Sequence, residues 1–208
     1  MFSKSNKFIF IEIYRSGSRS VVKALEKYQY NEKVYRKITR NINKNLNSSY
    51  FKELPPKHST YEEYINFLGK RYNNYFSFAF SRNPFSWQVS IFHYMKEQVN
   101  HPQHNIIKNF TFDEYIYWRC NEDHDLQNKF VFDKNKNLKI SYLGKLENIN
   151  NDFKFVCKNL NIKNELKHIN QTKHSNYKNY YSTMSEKMIL KYYEEDFDLL
   201  GYPKKLYN

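Results

Sequence analysis

The sequence predicts an α/β fold, a single domain whose mainly parallel β-sheet is flanked by helices. Three short apolar runs rich in aromatic and β-branched residues supply the strands: Lys7–Ile13, Tyr75–Ser81 and Leu138–Leu143. Each is followed by turn residues and then a stretch of helical periodicity, the alternation from which parallel sheets are built. The 208 residues carry no Pro/Gly/Ser-rich linker and no internal repeat, which fits one domain.

In chain order, the first strand leads into a helix over Ser18–Tyr28, with Val21, Val22, Leu25 and Tyr28 on one face. Asn41–Ser49 is Asn-rich and polar and reads as a loop. The second strand leads into Pro84–Gln98, where Pro suits the first helical turn and Trp87, Ile91, Tyr94 and Met95 share a face. Asp133–Asn137 reads as a charged turn before the third strand. Asn148–Leu160 and Ser185–Leu200 are amphipathic helices.

Lys and Arg number 34 against 21 Asp and Glu, a net charge of +13. Such a surplus suits an anionic partner: nucleic acid, nucleotide, anionic glycan or membrane surface. An AT-rich coding bias supplies the same charge, since Lys far outnumbers Arg, Asn, Ile and Tyr are abundant, and Ala is scarce. Cys120 and Cys157 are too few for a disulfide framework or a four-ligand zinc site; they leave room for one bridge or two buried thiols, and the expectation is two buried thiols. Phe8–Ile13 is short and broken by Glu12, unlike a secretory signal, and no stretch has the length of a membrane span. A soluble intracellular protein is expected.

Ligands of parallel sheets bind at the carboxyl ends of the strands, which points to the loops after Ile13 and Ser81. In the first loop, Gly17 lets the backbone approach an anion at a helix start, and Ser16, Ser18 and Ser20 are hydroxyl donors. Arg15 and Arg19 add forked positive charge. A Ser at a helix start is equally a simple cap. The chain lacks G-x-x-x-x-G-K-[ST], which argues against an ATP-binding P-loop and a nucleotide kinase. In the second loop a buried strand ends at Arg82, Pro84 begins a helix, and Ser90 follows two turns on.

With these residues the chain resembles the sulfotransferases that use 3′-phosphoadenosine 5′-phosphosulfate (PAPS), specifically the carbohydrate and bacterial enzymes with a P-loop-NTPase-like architecture. Their first loop reads P-K-T-G-[GS]-T-S and their second F-V-R-N-P-x-x-R-x-x-S. Phe80-Ser81-Arg82-Asn83-Pro84 with Ser90 is the stronger match. Gly144-Lys145-Leu146-Glu147-Asn148 with Asp152-Phe153, Asn170-Gln171-Thr172 with Tyr177 and Tyr180-Tyr181, and Asp196 with Gly201-Tyr202 resemble three later stretches of the family, in order. The resemblance implies that Arg82 and Ser90 hold the 3′-phosphate. It implies that Arg15, Ser16, Gly17, Ser18, Arg19 and Ser20 cradle the 5′-phosphosulfate. Lys173, His174 and Tyr180 would close over the nucleotide.

Arg15 stands where the family usually has Lys, keeping the charge but donating a proton far less readily. Ser18-Arg19 replaces Gly or Ser followed by Thr, and Ser81 replaces a usual Val. The implied activity is sulfuryl transfer from PAPS to an acceptor hydroxyl, on a carbohydrate or glycoconjugate, releasing PAP. The setting implied is the cytoplasm of a bacterium or of a virus-infected host cell. An acceptor hydroxyl needs a base: His58 is the first candidate, Glu12 the second and His93 the third. No metal is expected, because His101 and His104 lack a further ligand set. The competing class is a basic nucleic-acid-binding protein without catalytic activity, its Tyr and Phe stacking on bases.

Overall fold

The computed structural model describes residues 1–29, 38, 39, 41, 44, 54–166 and 175–206. Its strands are β1 (Phe2–Ser3), β2 (Phe8–Ile11), β3 (Phe76–Ser81) and β4 (Tyr142–Lys145), forming one sheet in the order β1-β2-β3-β4. β1 runs antiparallel to β2, and β2 pairs in parallel with β3, from Phe8 opposite Phe76 to Ile11 opposite Ala79. Helices flank this mixed, mostly parallel sheet, so the α/β expectation holds.

By contact density the chain divides into two units, Met1–Phe80 with Lys129–His168, and Ser81–Asn128 with Ile169–Asn208. The first carries the sheet. Its central run Phe8-Ile9-Phe10-Ile11 is wholly buried, as a strand covered on both faces must be. The two-residue period of a strand sorts it into two cores. Phe8 and Phe10 join Phe78, Phe80, Val21 and Leu25 of α1 (Ser18–Leu25), and Phe153 and Val156 further along the chain. Ile9 and Ile11 join Ala79 and the Tyr61, Tyr64 and Leu68 face of α2 (Tyr61–Leu68).

The second unit is organised around α3 (Pro84–Glu97). Asn83 caps it, its side chain accepting from the N–H groups of Phe85 and Ser86, and Pro84 fills the first position. Trp87, Ile91 and Met95 are buried as expected, but Phe85, Val89 and Phe92 are buried too, so α3 is enclosed on most sides. Two helices absent from the expected pattern follow, α4 (His104–Ile107) and α5 (Phe112–Asn121). Thr111 and Glu114 form a capping box at the start of α5, and its Tyr115 hydroxyl donates to the buried Gln88 of α3 at 2.7 Å.

Three expected elements differ. The run Leu138–Leu143 joins the sheet only in its second half, where Ser141 N–H donates to the Ser77 carbonyl and the strand begins at Tyr142, while Leu138 pairs back on Phe132 across the Asp133–Asn137 turn. That turn is held by the Asp133 carboxylate, which accepts from the N–H groups of Asn135 and Asn137. The last helix is two: after α6 (Ile149–Asn159), α7 (Thr183–Tyr192) stops at Tyr193 and α8 (Glu194–Leu199) starts anew. The break turns Asp196 inward, where it is fully buried. Within Asn41–Ser49, the described residues Asn41 and Lys44 are helical rather than loop, in a span without Gly or Pro.

Candidate functional site

The loop after β2 is shaped by its backbone. Arg15 has φ +60° and Gly17 φ +85°, both left-handed. Turns of this kind collect successive N–H groups into an anion-binding concavity. Among the described residues the backbone N–H groups of Ser16, Gly17 and Ser18 have no acceptor, and they lie where α1 begins. Gly17 is required twice. Its φ strains any L side chain, and a Cβ there would lie 2.8 Å from the terminal methyls of Leu146 and Ile149.

Two of the three hydroxyls expected to face an anion are otherwise engaged. Ser16 Oγ and Ser18 Oγ both donate to the carbonyl of Ile13, at 2.6 and 2.7 Å. They staple the loop to the strand end, so at these two residues the donors left for an anion are the main-chain N–H groups. Ser20 N–H bonds the Gly17 carbonyl at 3.1 Å. Arg15 and Ser20 are half-buried and Arg19 is exposed.

His58 comes to this same strand end. Its Nδ1 lies 2.8 Å from the carbonyl oxygen of Glu12, and its ring meets Tyr14 edge-on, with centroids 6.0 Å apart. A carbonyl only accepts, which assigns the proton to Nδ1 and leaves Nε2 with the lone pair in the neutral ring. The ring is exposed. Glu12 contributes its backbone here. Its carboxylate is buried, with Oε1 3.5 Å from the Met1 ammonium and Oε2 without a hydrogen-bond partner among the described residues.

In the second unit, the peptide of Arg82 is gripped by Gln127. The Gln127 Oε1 accepts from Arg82 N–H at 2.9 Å, and its Nε2 donates to the Arg82 carbonyl at 2.8 Å. Arg82 Nε donates to Ser86 Oγ at 2.8 Å. Gln127 is wholly buried, and its own N–H and that of Asn128 donate to the two carboxylate oxygens of Asp196, at 2.9 and 2.8 Å. Burial pushes Asp196 up to about 7, against the lowering effect of those two N–H groups. Sequence reasoning missed Gln127 altogether.

Ser90 is wholly buried within α3. His93 Nε2 and the Tyr180 hydroxyl are 2.9 Å apart, so these two candidates pair with each other. Lys173 and His174 lie outside the described residues. Ser81 Oγ sits 3.1 Å from the Tyr202 hydroxyl, a use for the departure from Val that the sequence did not disclose. His101 Nδ1 accepts from Gln103 N–H, and His104 Nδ1 lies 3.1 Å from the Met95 carbonyl. Cys120 and Cys157 are free and buried, and burial pushes their thiols up to about 12 and 11, which suits structural rather than reactive cysteines.

The family model for sulfotransferases matches residues 1–203. The chain belongs to the sulfotransferase family. Neither a curated protein nor a solved structure gives a match. In this sulfotransferase the Gly144–Phe153 stretch is a brace for the first loop. Gly144 leaves room for the ring of Phe80, 2.7 Å from where a Cβ would stand. The Asp152 carboxylate accepts from Lys145 N–H and from the Asn148 side chain, both at 2.7 Å. Leu146 and Ile149, so held, are the residues that back Gly17. No helix among the described residues is long and apolar enough to cross a membrane.

Proposed function

We propose that this sulfotransferase moves the sulfuryl group of PAPS to an acceptor hydroxyl on a carbohydrate or glycoconjugate, with residues 1–208 working as one cytoplasmic catalytic domain. The observation that carries the reading is the loop after β2: left-handed at Arg15 and Gly17, with three N–H groups that have no acceptor among the described residues at a helix start, and His58 anchored at the same strand end. That donor set fits a phosphosulfate, since it offers neutral main-chain donors and one forked cation to an anion of several oxygens.

When bound, PAPS supplies an activated sulfuryl group and a bisphosphonucleotide that leaves readily. The N–H groups of Ser16, Gly17 and Ser18 hold the anion, and Arg15 neutralises charge developing on the leaving oxygen without giving up a proton. His58 Nε2 takes the acceptor's proton, and the Glu12 carbonyl steadies the imidazolium through Nδ1–H. By likeness to the family, Arg82 and Ser90 receive the 3′-phosphate. Arg19 and Ser20 flank the 5′ side, and Lys173 and Tyr180 the nucleotide. No metal takes part.

Calorimetric titration with PAP, with 5′-AMP and ATP as controls, tests the donor. PAP should bind at least about tenfold more tightly than AMP, and Arg82→Ala should erase that preference. A wild type that does not separate PAP from AMP refutes the donor assignment and makes nucleic acid the next ligand to titrate. With PAPS and an accepted hydroxyl, His58→Ala should lower kcat by about 10²–10⁴-fold while leaving PAP affinity unchanged.

A further inference from the structure

We infer that Gln127 and Asp196 are positioning residues for Arg82, and that this relay makes the protein selective for a nucleotide with a 3′-phosphate. The inference rests on the assignment of Arg82 to that phosphate. An arginine at a strand end has several rotatable bonds and no intrinsic aim; recognition by its planar fork needs the main chain and the guanidinium plane to be set beforehand. Both are set here. Gln127 holds the N–H and the carbonyl of Arg82 together, which fixes the peptide on both sides of its Cα, and Ser86 Oγ fixes the plane at Nε.

The grip is itself supported. A wholly buried glutamine side chain is aimed by its backbone, and the backbone of Gln127 and Asn128 is pinned by the two oxygens of Asp196, all within the second unit. Gln127 and Asp196 are each wholly buried. Neither therefore needs to touch a ligand to act, and Gln127 stands 45 positions from Arg82 in the chain.

The test is the ratio of PAP to AMP affinity, which reads the 3′-phosphate alone and cancels any loss of folded protein. Gln127→Met keeps the volume and removes both hydrogen bonds; Gln127→Glu keeps the acceptor for Arg82 N–H and replaces the amide donor to its carbonyl with a carboxyl that donates only while protonated. Gln127→Met should lower the ratio about tenfold, Gln127→Glu should lower it less, and AMP affinity should hold in both. Combined with Arg82→Ala, Gln127→Met should lower the ratio no further, because it acts through that arginine. A wild-type ratio near one fails the donor assignment itself. A high wild-type ratio that falls in Arg82→Ala but survives in both Gln127 variants overturns the relay and leaves the donor assignment standing. Additive losses in the double variant overturn it too. If Gln127→Met does not fold, Gln127→Glu alone decides between these outcomes.

Discussion

After β2 the chain turns through two left-handed residues, and what it presents is main chain: N–H groups, held by serines that bond the strand end and by a glycine pressed on Leu146 and Ile149. After β3 it turns on an Asn cap and a proline, and what it presents is a side chain, Arg82, whose peptide is gripped by a glutamine from elsewhere in the chain. The first loop is therefore sensitive to added atoms and the second to removed ones. A backbone cradle is spoiled by a Cβ that moves it, whereas an aimed arginine is spoiled by losing a polar group beyond its reach.

Gly17→Ala presses hardest on this contrast. Left-handed strain and the clash with Leu146 and Ile149 together should cost about 2–5 kcal/mol, read from urea unfolding midpoints. An alanine variant as stable as the wild type would show that the loop does not need its left-handed turn. Next comes Asp196→Asn. The amide has one acceptor oxygen for two N–H groups, so a loss of about 1–3 kcal/mol is expected near pH 5, where the wild-type acid is largely protonated.

The same pair of proteins carries a pH signature. Asp196 titrates near 7 when folded against about 3.8 in the open chain, so the folded state holds a proton that the unfolded state has released between those values. Its contribution is full below about pH 4 and fades as pH rises through 7. The stability difference between wild type and Asp196→Asn should shrink over that window, and a difference constant with pH would assign the residue an ordinary carboxylate. Smallest is Ser18→Ala. Losing one bond to the Ile13 carbonyl should cost about 1 kcal/mol. Donor affinity should fall little, since the hydroxyl holds the loop rather than the ligand. A loss as large as that of Arg82→Ala would mean that Ser18 contacts the anion after all.

Much of this was written locally. The unbroken apolar run Phe8–Ile11 marks a strand buried on both faces, Pro84 after Asn83 marks a helix start, and the order of the motifs marks the family. Thr111 and Glu114 likewise announce α5 by their spacing, and Phe112, Tyr115, Ile116 and Cys120 follow at helical intervals, with Arg119 on the same buried face. The split of the last helix at Tyr193 was hidden, because its apolar spacing runs on unbroken while the demand on Asp196 comes from another segment.

The sequence by itself determined the α/β alternation, the two loops at strand ends and the residue types they carry, since these depend on periodicity and on neighbours within a few positions. Only the tertiary structure decided what each polar group does. The Ser16 and Ser18 hydroxyls, expected as anion donors, staple the loop; Glu12, expected as a candidate base, meets His58 through its main-chain carbonyl; and Gln127 emerged as the grip on Arg82. A hydroxyl or amide takes whichever partner lies within about 3 Å in the right direction, and for these groups folding sets that neighbourhood.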